Sequence, residues 1–185
     1  MPKLLFLVAD DRYFCSHRLN LAKAALDKGY TVAIATKCNL DREKIENAGI
    51  TVFPLKHLTR SGLNPWQQYL SFLELIKIYK NFKPDIVHHV AMKPVILGTL
   101  VAKWCKVPKI INALGGLGFL FTDNNSKKKL NKKAIKKLVC IMLKWLFAND
   151  NVKVILQNSD DINTLVDSGC LKPDTAVLIR GAGVD

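Results

Sequence analysis

Short, uninterrupted apolar runs recur along this chain with helical patterns between them, and no other feature restricts its fold so much. KLLFLVA (3–9), TVAIAT (31–36), ITVFPL (50–55), DIVHHV (85–90), KIINAL (109–114), VKVILQ (152–157) and AVLI (176–179) read as strands. They are continuous apolar runs rather than alternating ones, the signature of strands covered on both faces, as in a parallel sheet. Between them lie RLNLAKAALDK (18–28), closed by Gly29, and the short polar DREKIENA (41–48), closed by Gly49. Asn64 and Pro65 open a further helix, because asparagine caps and proline suits the first turn; Trp66, Leu70, Leu73 and Ile76 mark its buried side. PVILGTLVAKWCK (94–106), a basic stretch over about 127–148 and a segment over about 159–168 complete the helices. Strand and helix therefore alternate, which predicts an α/β domain with a doubly wound, mainly parallel sheet and helices on both faces.

The 185 residues suit one domain with one sizeable core. Lys144 interrupts the longest apolar run, LVCIMLKWLFA, well below the roughly 18 residues that span a bilayer. The N-terminal LLFLVA runs directly into Asp10 and Asp11, unlike a secretory signal, so a cytoplasmic protein is expected. Five scattered cysteines without a C-x-x-C pair favour reduced, packed thiols over a disulfide frame or a zinc site. The net charge of +13 points to a polyanionic partner: a membrane surface, a nucleic acid or a phosphorylated substrate.

In a doubly wound sheet, ligands bind outside the carboxyl ends of the strands, so the residues after each strand are the candidates. After the first come DDRYFCSHR, with two acids, an aromatic pair that includes Tyr13, then Ser16, His17 and Arg18 entering the 18–28 helix. That loop is either a capped helix start with solvated charges or an anion site in which arginine adds a bidentate partner. After the fourth strand come His88, His89 and Lys93; adjacent strand histidines face opposite ways and cannot ligate one metal together. His88 is then either a packed core histidine or one opening to the cleft. Gly115, Gly116 and Gly118 follow the fifth strand and allow close approach of backbone to a ligand, though without G-x-G-x-x-G spacing. The sixth strand ends at Gln157 and Asn158, and Asn158 or Ser159 can cap the next helix. No nucleophile elbow, Walker loop or zinc signature is present, so no catalytic residue is assigned.

The basic helix places Lys129, Lys132, Lys133, Lys136, Lys137 and Lys144 on one side and Leu130, Ala134, Leu138, Ile141 and Trp145 on the other. A solvated surface helix, a membrane-surface helix and a nucleic-acid helix all fit that pattern. Membrane contact is preferred, because the lysines lack acidic partners and the later turns are apolar all round. Nucleic acid is not expected, since the lysines are not interleaved with stacking aromatics.

Taken in order, DDRYFCSHRLNLAKAALDKGYTVAIAT, KPDIVHHVAMKPVILG, INALGGLGFLF, ILQNSDDINTLVDSG and IRGAGVD resemble the N-terminal half of bacterial family 4 glycosyltransferases of the GT-B fold. The likeness is greatest to those that build capsule, O-antigen and N-glycan precursors on a polyprenyl diphosphate carrier. It implies a Rossmann-like acceptor-side domain over residues 1–185, with the nucleotide-sugar domain absent and no metal or cofactor. It also implies peripheral attachment at the inner face of the cytoplasmic membrane. Tyr13, His17, Arg18 and Arg60 are implied near the acceptor phosphates; His88, Lys93, Gly115, Gly116, Gly118 and Asn158, from their places after the strands, are the further substrate-binding candidates. Lys129, Lys132, Lys133, Lys136, Lys137 and Trp145 are implied at the membrane. The implied partners are a polyprenyl-diphosphate-linked sugar acceptor, an anionic membrane, and a nucleotide sugar only alongside a second domain, which a separate chain could supply. Alone, the chain is expected not to transfer sugar. The alternatives are a non-catalytic basic module on anionic membrane and a small α/β enzyme of the epimerase or esterase kind.

Overall fold

The computed structural model describes residues 1–58, 64–116 and 129–181, and only the backbone of 129–136. Its strands are β1 (Lys3–Val8), β2 (Thr31–Thr36), β3 (Thr51–Pro54), β4 (Ile86–Val90), β5 (Lys109–Leu114), β6 (Val152–Leu156) and β7 (Ala176–Leu178). They form one sheet in the order β3-β2-β1-β4-β5-β6-β7, with every neighbouring pair parallel. The chain thus winds outward to one side from β1 and to the other from β4. Right-handed crossovers in opposite directions place their helices on opposite faces.

The packing shows this division. Helices α1 (Asp11–His17), α2 (Leu19–Asp27) and α3 (Arg42–Asn47) bury Phe14, Leu19, Ala22 and Ile45 against Phe6, Val8, Val32 and Ile34. Helices α4 (Pro65–Phe82), α5 (Met92–Trp104), α6 (Lys129–Leu146) and α7 (Ser159–Asp167) cover the other face. There Leu75, Val101, Leu143 and Leu165 meet Leu5, Leu7, Val87 and Val154. The inner strands send alternate residues to the two cores, which is why their sequences are largely apolar, while the edge strands β3 and β7 are half-buried or exposed.

Four expectations need correction. The stretch 11–17, expected as a loop running into the 18–28 helix, is a separate helix because the Asp10 carboxylate caps it, accepting from Arg12 N (3.0 Å) and Tyr13 N (3.3 Å). On α4, Trp66 and Leu73 are exposed, and the buried side is Ser71, Leu75 and Tyr79. On α6, Leu138, Ile141 and Trp145 are exposed beside Lys137 and Lys144, while Leu143, Leu146 and Phe147 form the buried side. Finally, Cys140 of α6 and Cys170, just past α7, form a disulfide, with Cys15, Cys38 and Cys105 free. Cys140 lies over the chain just past α7, within 3.2 Å of Ser168 O, a proximity that spacing in the sequence cannot show.

A buried polar cluster ties the two halves together. Asn112 Oδ1 accepts from His89 Nδ1–H (2.7 Å) and from the Thr99 hydroxyl (3.0 Å). His89 Nε2 is then the acceptor for the Tyr79 hydroxyl at 2.8 Å. Burial holds the His89 pKa down to about 4, so the ring is neutral, as this arrangement requires. Gly98 of α5 lies directly on that ring: a Cβ there would stand 2.6 Å from His89 Cδ2 and 2.8 Å from Leu7 Cδ2. The internal glycine of α5 is therefore a close-packing residue.

Candidate acceptor cleft

The strand order reverses between β1 and β4, and a cleft of about 240 Å³ opens there at the carboxyl ends. Val8, Ala9, Asp10 and Tyr13 contribute from β1 and α1; Val90, Ala91 and Met92 from β4 and α5; and Gly115 and Gly116 from the end of β5. Ala91 has φ 76° and ψ 157°, a conformation nearly confined to glycine, and its N–H donates to Ala113 O at 3.0 Å. That bond fixes the turn from β4 into α5 against β5. The start of α5 carries no side-chain cap.

Tyr13 forms one wall. Its ring stacks on His17, with centroids 4.3 Å apart and planes 5° off parallel. The Ser16 hydroxyl donates to Arg12 O (2.9 Å), so its oxygen receives His17 Nδ1–H at 2.6 Å. Beyond the phenol, a Cβ on Gly115 would be 3.8 Å from the Tyr13 hydroxyl and 4.0 Å from Gln157 Nε2. Tyr13, Gly115 and Gln157 thus meet at one rim, and Gln157 is a member of this group that pattern alone did not single out.

The other sequence candidates divide. Lys93 is half-buried in the first turn of α5, and burial lowers its ammonium pKa. Arg18 caps α2, its Nη1 donating to His17 O at 2.8 Å. His88 does not line the cleft: it is 5 % exposed, pairs in register with Phe6 and has its ring 5.2 Å from that phenyl. Burial, then Arg18 and His89, holds its pKa down to about 3. The structure places it among packed core residues. Asn158 caps α7 with its oxygen on Asp161 N (2.7 Å). Arg60, Gly118 and residues 182–185 lie outside the described residues, as do the side chains of Lys129, Lys132, Lys133 and Lys136.

Asp11, next to the cleft, is fully buried and serves structure. Its carboxylate accepts from Asn39 N (2.6 Å), Asp41 N (3.1 Å) and Arg12 N (2.9 Å). Burial pushes its pKa up, but these donors together hold it below the ordinary value. Among the described residues, no group of three or more histidine, cysteine, aspartate or glutamate side chains could hold a metal ion. The cleft offers an aromatic wall, an apolar floor and glycine backbone, which suits binding and orientation of a substrate.

A solved Rickettsia africae glycosyltransferase is similar to this chain with a TM-score of 0.64 and 18% identity, covering 97% of this chain and 42% of that one. An Anabaena protein solved with UDP and glucose gives 0.63 and 13%, covering 97% and 44%. A Methanocaldococcus jannaschii UDP-GlcNAc 2-epimerase gives 0.60 and 17%, covering 96% and 45%. These likenesses establish a Rossmann-like fold shared by GT-B glycosyltransferases and epimerases. The Campylobacter jejuni N,N'-diacetylbacillosaminyl-diphospho-undecaprenol alpha-1,3-N-acetylgalactosaminyltransferase is 27% identical over 168 residues. That match takes in 91% of this chain and 43% of the relative, so the chain spans less than half its length. The glycosyl transferase 4-like family model matches residues 3–159, and the chain belongs to that family.

Proposed function

We propose that this chain is the acceptor-side domain of a glycosyltransferase that moves a sugar from a nucleotide sugar to a polyprenyl-diphosphate-linked saccharide in surface glycan synthesis. The observation that carries this reading is the cleft at the β1–β4 reversal, walled by Tyr13, whose ring is backed by His17, and opened to close backbone approach by Gly115 and Gly116. It lies within the segment that matches a family of sugar transferases, and the Campylobacter relative is named for a diphospho-undecaprenol acceptor. A stacked aromatic wall suits a sugar ring, whose C–H faces pack on π surfaces. Lys93, in the first turn of α5 one residue after the lining Met92, and Arg18, at the start of α2, are assigned in this reading to the acceptor diphosphate.

The donor nucleotide is assigned to a second domain across the cleft, in the same chain or another. Charge on the leaving phosphate needs preorganised donors, usually the largest contribution to such catalysis. Among the described residues the cleft lining carries no cluster of charged side chains for that task, and in this reading the chain by itself binds acceptor without transferring sugar. No nucleic acid partner, metal or organic cofactor enters this reading. Attachment is peripheral at the inner face of the cytoplasmic membrane, with the α6 lysines against anionic headgroups; no described helix is long and apolar enough to cross a membrane.

Titration of the chain with a short-chain polyprenyl diphosphate N-acetylhexosamine tests the acceptor assignment. Saturable binding weakened about tenfold by Tyr13→Ala is expected, the loss of one aromatic contact. Binding of a UDP-sugar in preference to that compound would overturn it.

A further inference from the structure

We propose that the cavity between the ends of α4 and α5 is a second ligand site, which takes a small phosphate monoester carrying a ring, the chemistry of a nucleoside or sugar phosphate. Helices α4 and α5 pack side by side and lead into β4 and β5, so their ends meet at the amino edge of the sheet, away from the cleft. A cavity of about 450 Å³ opens there, lined by Tyr79, Lys80 and Lys83 from α4 and by Trp104, Cys105 and Lys106 from α5. Its size suits a small molecule better than a single ion.

The chain builds the two sides of this cavity alike. It leaves each helix through a lysine in the left-handed region, Lys83 at φ 53° and Lys106 at φ 55°, a place usually taken by glycine. Proline follows within two residues, at Pro84 and Pro108. The Lys83 N–H donates to Tyr79 O at 2.8 Å and the Lys106 N–H to Lys103 O at 3.1 Å, so the backbone closes both turns. Glycine would make the same bonds with less strain, and the two ammonium groups are not needed to form either turn.

The charge balance of the lining selects the class of ligand. Lys80, Lys83 and Lys106 bring three positive charges, and among the described residues no acid lines the cavity. The neighbouring Lys3 and Lys103 are engaged, with Phe82 O at 3.1 Å and Trp145 O at 2.8 Å. Among the described residues, no ion pair or side-chain hydrogen bond holds the three lining lysines. The thiol and the phenol stay neutral: burial pushes the Cys105 pKa up, with Lys80 opposing, and burial likewise raises that of Tyr79, whose hydroxyl donates to His89. Each helix end contributes about half a negative charge. About two positive charges are left over, which matches a phosphate monoester, close to a dianion at neutral pH.

Trp104 provides for the ring. It is 68% exposed and lines the cavity beside the lysines. An indole face stacks on a nucleobase and also packs on the C–H face of a sugar, so the two sources share one chemistry. This site lies at the opposite edge of the sheet from the acceptor cleft and does not rest on the proposed function.

Calorimetric titration of the full chain with adenosine monophosphate, glucose-1-phosphate, adenosine and inorganic phosphate tests the proposal. At least one of the two esters is expected to saturate below about 1 mM, and the tighter one identifies the source. Adenosine and inorganic phosphate, each lacking one half of the ligand, are expected to bind about tenfold more weakly or less. Lys83→Gly and Lys106→Gly remove an ammonium group while suiting the left-handed backbone, and each should weaken the ester about tenfold, the loss of one charge-assisted contact. Trp104→Ala should weaken it about tenfold through lost stacking. Bound ester should also slow alkylation of Cys105 by iodoacetamide, read by mass spectrometry of its peptide. Absence of ester binding, or inorganic phosphate binding as tightly as the esters, overturns the proposal. Ester binding that survives both glycine substitutions, or that is lost in Tyr13→Ala, places the ligand elsewhere and overturns it too. Glycine variants that melt lower with unchanged affinity show that the lysines serve the helix ends instead.

Discussion

Gly98→Ala is expected to destabilise the domain, although the same change at an exposed helix position would stabilise it. Removing glycine from a helix interior gains about 1 kcal/mol. Here the new Cβ would lie 2.6 Å from His89 Cδ2, 2.7 Å from His89 Nε2 and 2.8 Å from Leu7 Cδ2. Those are side-chain atoms of fully buried residues on central strands, so making room displaces packed neighbours, and overpacking costs about 1–3 kcal/mol. A shifted His89 also loses the Tyr79 hydroxyl, leaving a buried polar group unpaired at about 1–3 kcal/mol more. The net loss is about 3 kcal/mol, which at a slope of about 2 kcal/mol/M lowers the urea midpoint by about 1.5 M. Unfolding followed by far-ultraviolet circular dichroism measures this. His89→Ala should cost less in the Gly98→Ala background than in the parent, because it removes the atoms that clash. An unchanged or raised midpoint for Gly98→Ala would refute the close approach of α5 to the sheet.

Acid should unfold the protein through its two buried histidines. Their folded pKa values, about 3 for His88 and about 4 for His89, lie below the ordinary 6.5, so only the unfolded chain takes up protons as pH falls from 6.5. Stability is complete above pH 6.5 and declines through this window by on the order of 3 kcal/mol per histidine; a flat urea midpoint from pH 7 to 4.5 would contradict it. Asp11 acts at lower pH, since its depressed pKa keeps its contribution until the pH falls below the ordinary 3.8. Asp11→Ala frees the 39–41 loop and should cost about 3 kcal/mol at neutral pH by urea titration, with unaltered stability counting against the three backbone bonds. Reducing the Cys140–Cys170 disulfide opens a 30-residue loop and should lower stability by about 3–4 kcal/mol, and equal melting with and without reductant would show that the bond is not formed.

The parallel sheet was legible because burial on both faces leaves apolar strands without alternation, and all seven runs became β1 to β7. The site was legible only as an edge. Strand ends pointed to Tyr13, Gly115 and Gly116, which do meet, but also to His88, which the register with Phe6 places inside the packed face. A strand residue two positions before the carboxyl end looks much like the last one in sequence, yet one is floor and the other core. The strained turn at Ala91 had no signal, since alanine gives no hint of a positive φ.

Helix surfaces were harder to read for a separate reason. Helix α4 has two apolar stripes, Trp66–Tyr69–Leu73 and Phe72–Leu75–Ile76–Tyr79, and periodicity assigns either of them to the core. The choice is made by α5, which packs beside α4, and by Tyr79, whose hydroxyl must reach His89 inside the sheet. Once Tyr79 faces inward, helical rotation turns Trp66 and Tyr69 outward. On α6 the same decision is made by Leu143, Leu146 and Phe147 under the helix, which leaves Leu138, Ile141 and Trp145 in the open with the lysines. Core requirements on the sheet side thus set the composition of the outer surface. An apolar stripe retained there, next to uncompensated lysines, is not needed for folding, and polar replacement at Trp66 or Ile141 should leave stability within about 0.5 kcal/mol by urea titration. A loss of stability equal to a core truncation at either position would show that these side chains serve packing instead.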